Sequence, residues 1–102
     1  MTDSVDFAKA MADETRQRVM RLLCCRWLCV GDVVNELDGI SQPTVSHHLG
    51  VLREAGLVHV RREGKQVFYS VNQDEVAVCC GRLMRNFAPE VVEMAGIAVK
   101  DS

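Results

Sequence analysis

The apolar positions of this 102-residue chain follow two periods, and the change from one to the other falls at Gly56. Before it the spacing is helical, three to four residues. Val5, Ala8 and Met11 predict a first short helix over residues 4–11, with Phe7 at the edge of its inward face. Asp13 is placed to cap a second helix reaching about Leu23. Val19, Met20, Leu23 and Trp27 would share its inner face with the stem of Arg16, leaving Cys24 at the margin and Cys25 behind. A third helix covers about Val30 to Leu37, and Asp38-Gly39 marks the turn after it.

The stretch 41–55, SQPTVSHHLGVLREA, then reads as a capped helix. Ser41 suits the N-cap, Pro43 suits a first turn that needs no donor, and Gly56 suits the stop. Val45, Leu49 and Leu52 form its apolar stripe. Gln42, Thr44, Ser46 and His47 point away from that stripe, and His48 lies nearer to it. The outward face is small, hydrogen-bonding and free of acids, which suits the donor and acceptor patterns of base edges in a major groove. An ordinary solvated polar face has the same composition, so its neighbours decide. Helix, short turn and capped helix over 30–55 have the spacing of a helix-turn-helix.

After Gly56 the period is two. Val58 and Val60 alternate with His59 and Arg61, and Val67, Tyr69 and Val71 alternate with Phe68 and Ser70. RREGK lies between, with Gly64 for the turn. The result is a β-hairpin over 57–71 with a basic tip, a wing whose Arg61, Arg62 and Lys65 would meet phosphate or a minor groove. Asn72 or Asp74 caps a further helix to about Phe87, with Val76, Cys79, Cys80, Leu83 and Phe87 on one stripe. Pro89 restarts the chain, and residues 90–99 form a last helical piece. That segment is too apolar to stand alone and predicts pairing with a second copy. The fold class is mainly α with a β-hairpin wing, a dimeric winged helix-turn-helix in one domain over 1–102. Residues 1–12 and 73–102 supply the helices that flank this core, the latter including the segment expected to pair.

Charge sharpens the picture. The chain carries −2 overall, yet residues 41–70 hold Arg53, Arg61, Arg62 and Lys65 against Glu54 and Glu63, a net +2 that leaves −4 for the remainder. All three histidines lie in that positive segment. A local basic surface on an acidic body fits a reader of specific double-stranded DNA rather than a bulk polyanion binder. No apolar run has the length of a membrane span, and the N-terminal MTDSVDFAKAM lacks the basic start of an export signal. A cytoplasmic protein that makes no membrane contact is expected. Five cysteines, Cys24, Cys25, Cys29, Cys79 and Cys80, are an odd number and argue against a disulfide framework.

The run LCVGDVVNELDGISQPTVSHHLGVLREAGLVHVRREGKQVFYSV, preceded by MADETRQRVMRLL, resembles the ArsR/SmtB family of metalloregulatory repressors over about residues 5–88. The resemblance implies a winged helix-turn-helix homodimer that represses a metal or metalloid resistance operon and leaves its operator when an inducer binds. It assigns DNA reading to Gln42, Thr44, Ser46 and His47 and dimerisation to the first and last helices. No cofactor is implied for DNA binding itself. Arsenic-, cadmium- and lead-sensing members carry C-V-C at the start of the third helix; here Cys29-Val30-Gly31 keeps the first thiol and has glycine in place of the second. Some members place adjacent thiols in the last long helix, which VCCGRLM resembles. The zinc-sensing ligands of that helix are absent, since no histidine follows His59.

Thiolates select soft ions. As(III) or a related thiophilic ion is therefore the expected inducer, with Sb(III) equivalent and Cd(II) or Pb(II) as variants. Cys79 and Cys80 come first as ligands, then Cys29, then Cys24 and Cys25; a site made wholly of Cys24, Cys25 and Cys29 competes. The same thiols also fit a redox or reactive-sulfur sensor on the same fold. Buried cysteines serving only as small hydrophobes are the plainest alternative. A thiol enzyme or metal buffer that ignores DNA is a third class. No nucleophile–base pair with an orienting acid supports it, and the chain is expected not to be an enzyme.

Overall fold

The computed structural model describes residues 3–96. Helix α1 spans Ser4–Met11 and α2 Glu14–Leu23. A two-residue strand, β1 (Leu28–Cys29), leads into α3 (Val30–Glu36). Helix α4 covers Gln42–Glu54, strands β2 (Val58–Glu63) and β3 (Gln66–Val71) form the hairpin, and α5 (Gln73–Phe87) and α6 (Pro89–Ala95) complete the chain. Among the described residues no helix is long and apolar enough to cross a membrane.

The caps sit where local chemistry requires them. Asp13 accepts the backbone N–H of Arg16, Ser41 that of Thr44 and Asn72 that of Glu75. Gly56, at φ 74, ends α4 in the left-handed region, and Leu57 N–H returns to the Leu52 carbonyl at 3.0 Å. The Asn72 side chain also donates to the Gly56 carbonyl at 3.2 Å, which ties the base of the wing to the start of α5. One core is shared by α1 to α4 and the wing: Val19, Leu23, Val33, Val45, Leu49, Leu52 and Leu57 are wholly removed from water. Each such side chain contributes about 1.5–3 kcal/mol of transfer free energy.

Several expectations are corrected. The inward face of α1 is Phe7 and Ala10, not Val5 and Ala8; Val5 is 59% exposed. Helix α2 ends at Leu23, because Cys25 adopts a left-handed φ of 69 and turns the chain out. Trp27 therefore does not join the α2 face and is 37% exposed. Strand β1 was not expected at all. It pairs antiparallel with β3 through Leu28↔Tyr69 and Cys29↔Phe68, so the sheet order is β1-β3-β2. On the α5 stripe Cys79 is buried, but Cys80 is exposed and Phe87 is 82% exposed. Helix α6 begins at Pro89; residues 97–99 of the expected last helix lie outside the described residues.

Candidate nucleic-acid interface

Helix α4 is held by its buried side and offers the other. Val45, His48, Leu49 and Leu52 are buried, whereas Gln42, Thr44, Ser46 and His47 are exposed, as the spacing predicts. The Thr44 hydroxyl lies 3.0 Å from that of Ser41, so it is partly committed to the cap.

Arg16 of α2 fixes the helix in place. Its Nε donates to the Ala10 carbonyl at 2.6 Å, its Nη2 to the Lys9 carbonyl at 3.3 Å, and its Nη1 lies 3.2 Å from His48 Nδ1. Asp13 stands 3.8 Å from the same guanidinium. A guanidinium only donates, so His48 Nδ1 must accept and its proton sits on Nε2. Burial lowers the His48 pKa below its usual 6.5; the Asp13 carboxylate opposes that shift, and the Arg16 and His47 charges reinforce it. His48 is thus a neutral joint between the recognition helix and the α1–α2 corner, while its neighbour His47 remains in water. One ring of this adjacent pair anchors, and the other is exposed on the outward face of α4.

In the wing the register Val58↔Val71, Val60↔Tyr69, Arg61↔Phe68 and Glu63↔Gln66 sets a two-residue turn, with Gly64 at φ 61. Strand alternation sends Arg61 and Arg62 to opposite faces. Arg62 and Lys65 are exposed at the tip. Arg61 is engaged: its guanidinium lies 4.5 Å from the centre of the Trp27 ring and 3.2 Å from the Glu63 carboxylate. The expected basic trio therefore divides: among the described residues Arg62 and Lys65 have no ion-pair partner, whereas Arg61 is held against the body. Trp27, the residue that holds it, is placed in the core by helix spacing, so no sequence signal marks this contact. Ser70, on the opposite face of the sheet from Val71, is buried and reaches the Leu23 carbonyl at 3.4 Å.

The five thiols are dispersed. Cys24 and Cys25, both exposed, have sulfurs 3.4 Å apart, and Gln73 Nε2 at the start of α5 donates to Cys25 Sγ at 3.4 Å. The bond from Cys25 and the repulsion between the two sulfurs raise the Cys24 pKa. Cys29 is half-buried at the N-cap of α3, and its backbone N–H donates to Asp32, whose carboxyl is held down by that bond. A Cβ on Gly31 would lie 3.9 Å from Cys29 Sγ, so the missing second thiol would have stood beside the first. Burial pushes the Cys79 thiol up to about 11, helped by its bond to Glu75. Among the described residues no three His, Cys, Asp or Glu side chains gather as a metal site. The structure brings Cys24 to Cys25 and assembles no trio from the five.

A capped recognition helix, a basic hairpin and a neutral anchoring histidine define a winged helix-turn-helix DNA-binding protein. A family model described as "Bacterial regulatory protein, arsR family" matches residues 13–60. The biofilm growth-associated repressor of Agrobacterium fabrum is 41% identical over 90 residues, 87% of this chain and 76% of that protein. The arsenic resistance transcriptional regulator of Pseudomonas putida is 44% identical over 68 residues, 65% of this chain and 52% of that protein. A solution structure of a homodimeric winged helix-turn-helix DNA-binding domain from Mycobacterium bovis superposes with a TM-score of 0.66 at 28% identity, covering 84% of this chain and 78% of that one. The chain belongs to the arsR family, a family of DNA-binding transcriptional regulators.

Proposed function

We propose that this chain is a homodimeric repressor that releases a twofold operator when its cysteine thiolates bind a thiophilic ion, As(III) or Sb(III) in the first instance. The observation that carries the DNA half is the acid-free exposed face of α4, Gln42 to His47, backed by the Arg16–His48 anchor. The likeness to a repressor and to an arsenic resistance regulator supports the direction of regulation and the inducer class. The dimer is supported by apolar surface on the first and last helices: Val5, Phe87, Val91 and Met94 are exposed at 53% or more. A second copy would cover such a surface, and a structural relative with this fold is homodimeric.

The donor set is soft and suits such an ion, yet one chain supplies adjacent pairs rather than a trio. Bound inducer and bound DNA weaken each other by the same factor, and a coupling of ~1–3 kcal/mol gives ~5–150-fold release. A redox reading is favoured by one contact only, the two exposed sulfurs at 3.4 Å. The test is fluorescence anisotropy on DNA from the chain's own upstream region, titrated with arsenite under reducing conditions. Release by arsenite supports the proposal. Tight binding that ignores arsenite and yields to an oxidant replaces it with the redox sensor.

A further inference from the structure

We propose that Cys24 and Cys25 form a two-thiolate chelating site for a monosubstituted trivalent arsenical, and that the turn carrying them transmits occupancy to the wing through Trp27. The proposal rests on the repressor reading for its regulatory consequence, but not for the binding itself.

The geometry makes the case. Both thiols are exposed, and their sulfurs already stand 3.4 Å apart. Two sulfur bonds of ~2.3 Å meeting near a right angle span about 3.3 Å, so an ion can bridge the pair with little movement. An arsenical with one organic substituent has two exchangeable oxygens and needs only two thiolates, which matches the pair, since among the described residues no third ligand gathers with it. In the exchange two S–H and two As–OH bonds break, two As–S bonds form, and two waters leave. The arsenic stays trivalent, so neither oxidant nor reductant enters. The other adjacent pair is less suited as it stands, since Cys79 is buried and bonded to Glu75 while Cys80 is exposed.

The turn is unusually connected. Cys25 holds a left-handed φ of 69 and receives Gln73 from the first turn of α5. Arg26 donates to the Leu22 carbonyl and pairs with Glu36 at the end of α3. Trp27 lies under Arg61 of β2. Three consecutive residues, Cys25 to Trp27, thus touch α5, the first helix of the helix-turn-helix and the wing. Closing a ring through Cys24 and Cys25 needs little movement of the sulfurs but engages the lone pairs that Gln73 donates to, and in this proposal the loss of that tie to α5 is what loosens the adjoining Trp27–Arg61 contact.

The probe is phenylarsine oxide, with the full chain under reducing conditions. Trp27 is the only tryptophan, so its emission reports on the site directly. One adduct per chain by mass spectrometry is expected, with a matching change in Trp27 emission, stripped by a dithiol but not by an equal concentration of monothiol. Operator affinity is expected to fall at least fivefold. Cys24→Ser/Cys25→Ser abolishes adduct and release, whereas Cys79→Ser/Cys80→Ser keeps both. Trp27→Leu keeps the adduct and loses most of the release. An adduct that persists in Cys24→Ser/Cys25→Ser overturns the site, and undiminished release in Trp27→Leu overturns the lever. If the apo protein binds no DNA, the repressor reading fails, while the adduct and the Trp27 emission still decide the site. Thermal melts of each variant exclude misfolding.

Discussion

The reading half of the molecule and its C-terminal limb solve the burial problem differently. In α2 to β3, apolar stripes of three or four residues meet one another, and Val19, Leu49, Leu52 and Leu57 lie wholly out of water within one chain. In α5 and α6 the stripe is at least as apolar, yet Cys79, Gly81 and Val92 are the buried positions, and Phe87 and Met94 remain 82% and 87% exposed. The first region is finished by its own sequence. The second is half of a contact, and its other half is a second copy in the function proposed above. The comparison teaches that an apolar stripe predicts burial without saying by what.

The strongest way to break this contrast is Leu49→Ala. A fully buried leucine at the centre of the reading half is expected to cost about 2–5 kcal/mol in urea unfolding. A loss below 1 kcal/mol would mean that the core lies elsewhere. Phe87→Asp with Met94→Asp probes the other region. The monomer's stability is expected to move within about 0.5 kcal/mol, since both side chains are exposed. Sedimentation velocity is expected to show monomers, and operator affinity to fall about 100-fold as the two half-sites lose their linkage. A dimer that survives the double substitution would place the interface elsewhere.

Within the reading half, His47→Ala is expected to weaken specific binding by about 1–3 kcal/mol and to relax preference at its base pair. Lys65→Ala is expected to weaken binding to all sequences alike and to lower the salt slope by about one. Equal behaviour of the two variants would deny that helix and wing play separate roles.

The smallest effect belongs to His48. Its folded pKa is lowered by burial, so the unfolded chain takes up the proton first as pH falls. Stability is fully present above the unfolded value near 6.5 and declines as pH drops through it toward the lowered folded value. Urea midpoints at stepped pH, compared with His48→Gln, are expected to show this decline in the parent only. Asp13 acts in a separate, more acidic window: the Arg16 backbone bond holds its pKa below 3.8, and its contribution is lost only as pH falls past that range.

Much of the fold was legible because short-range chemistry decided it. Asp13 and Ser41 cap the helices that the spacing predicts, Asn72 rather than Asp74 caps α5, and the period change at Gly56 marks the wing. The exposed set Gln42, Thr44, Ser46 and His47 followed from helix spacing alone. What escaped was set by contacts distant in sequence. Strand β1 has two residues, too few to show a period, and exists because β3 pairs with it. The face of α1 follows from where α5 and α2 lie, so Phe7 and Ala10 displaced Val5 and Ala8. Helix spacing alone makes Trp27 a fourth-turn continuation of α2, and only the left-handed Cys25 carries it away to Arg61. The cysteines were legible as a set but not as partners, because adjacency in sequence brought two sulfurs together at a turn and not on a helix.

The strand order has a consequence for how the protein comes into being. The central strand β3 is the last of the three to be synthesised, so β1 and β2 leave the ribosome without their hydrogen-bonding partner. At the usual pace of translation the roughly 40 residues between Leu28 and Val71 take about 2–8 s to appear. Helix α4 is complete only at Glu54, so over the last part of that interval it exists without the finished sheet it packs against. The half that carries the helix-turn-helix therefore matures as one late event, and a nascent chain that stops short of Gln66 lacks the strand on which the other two depend.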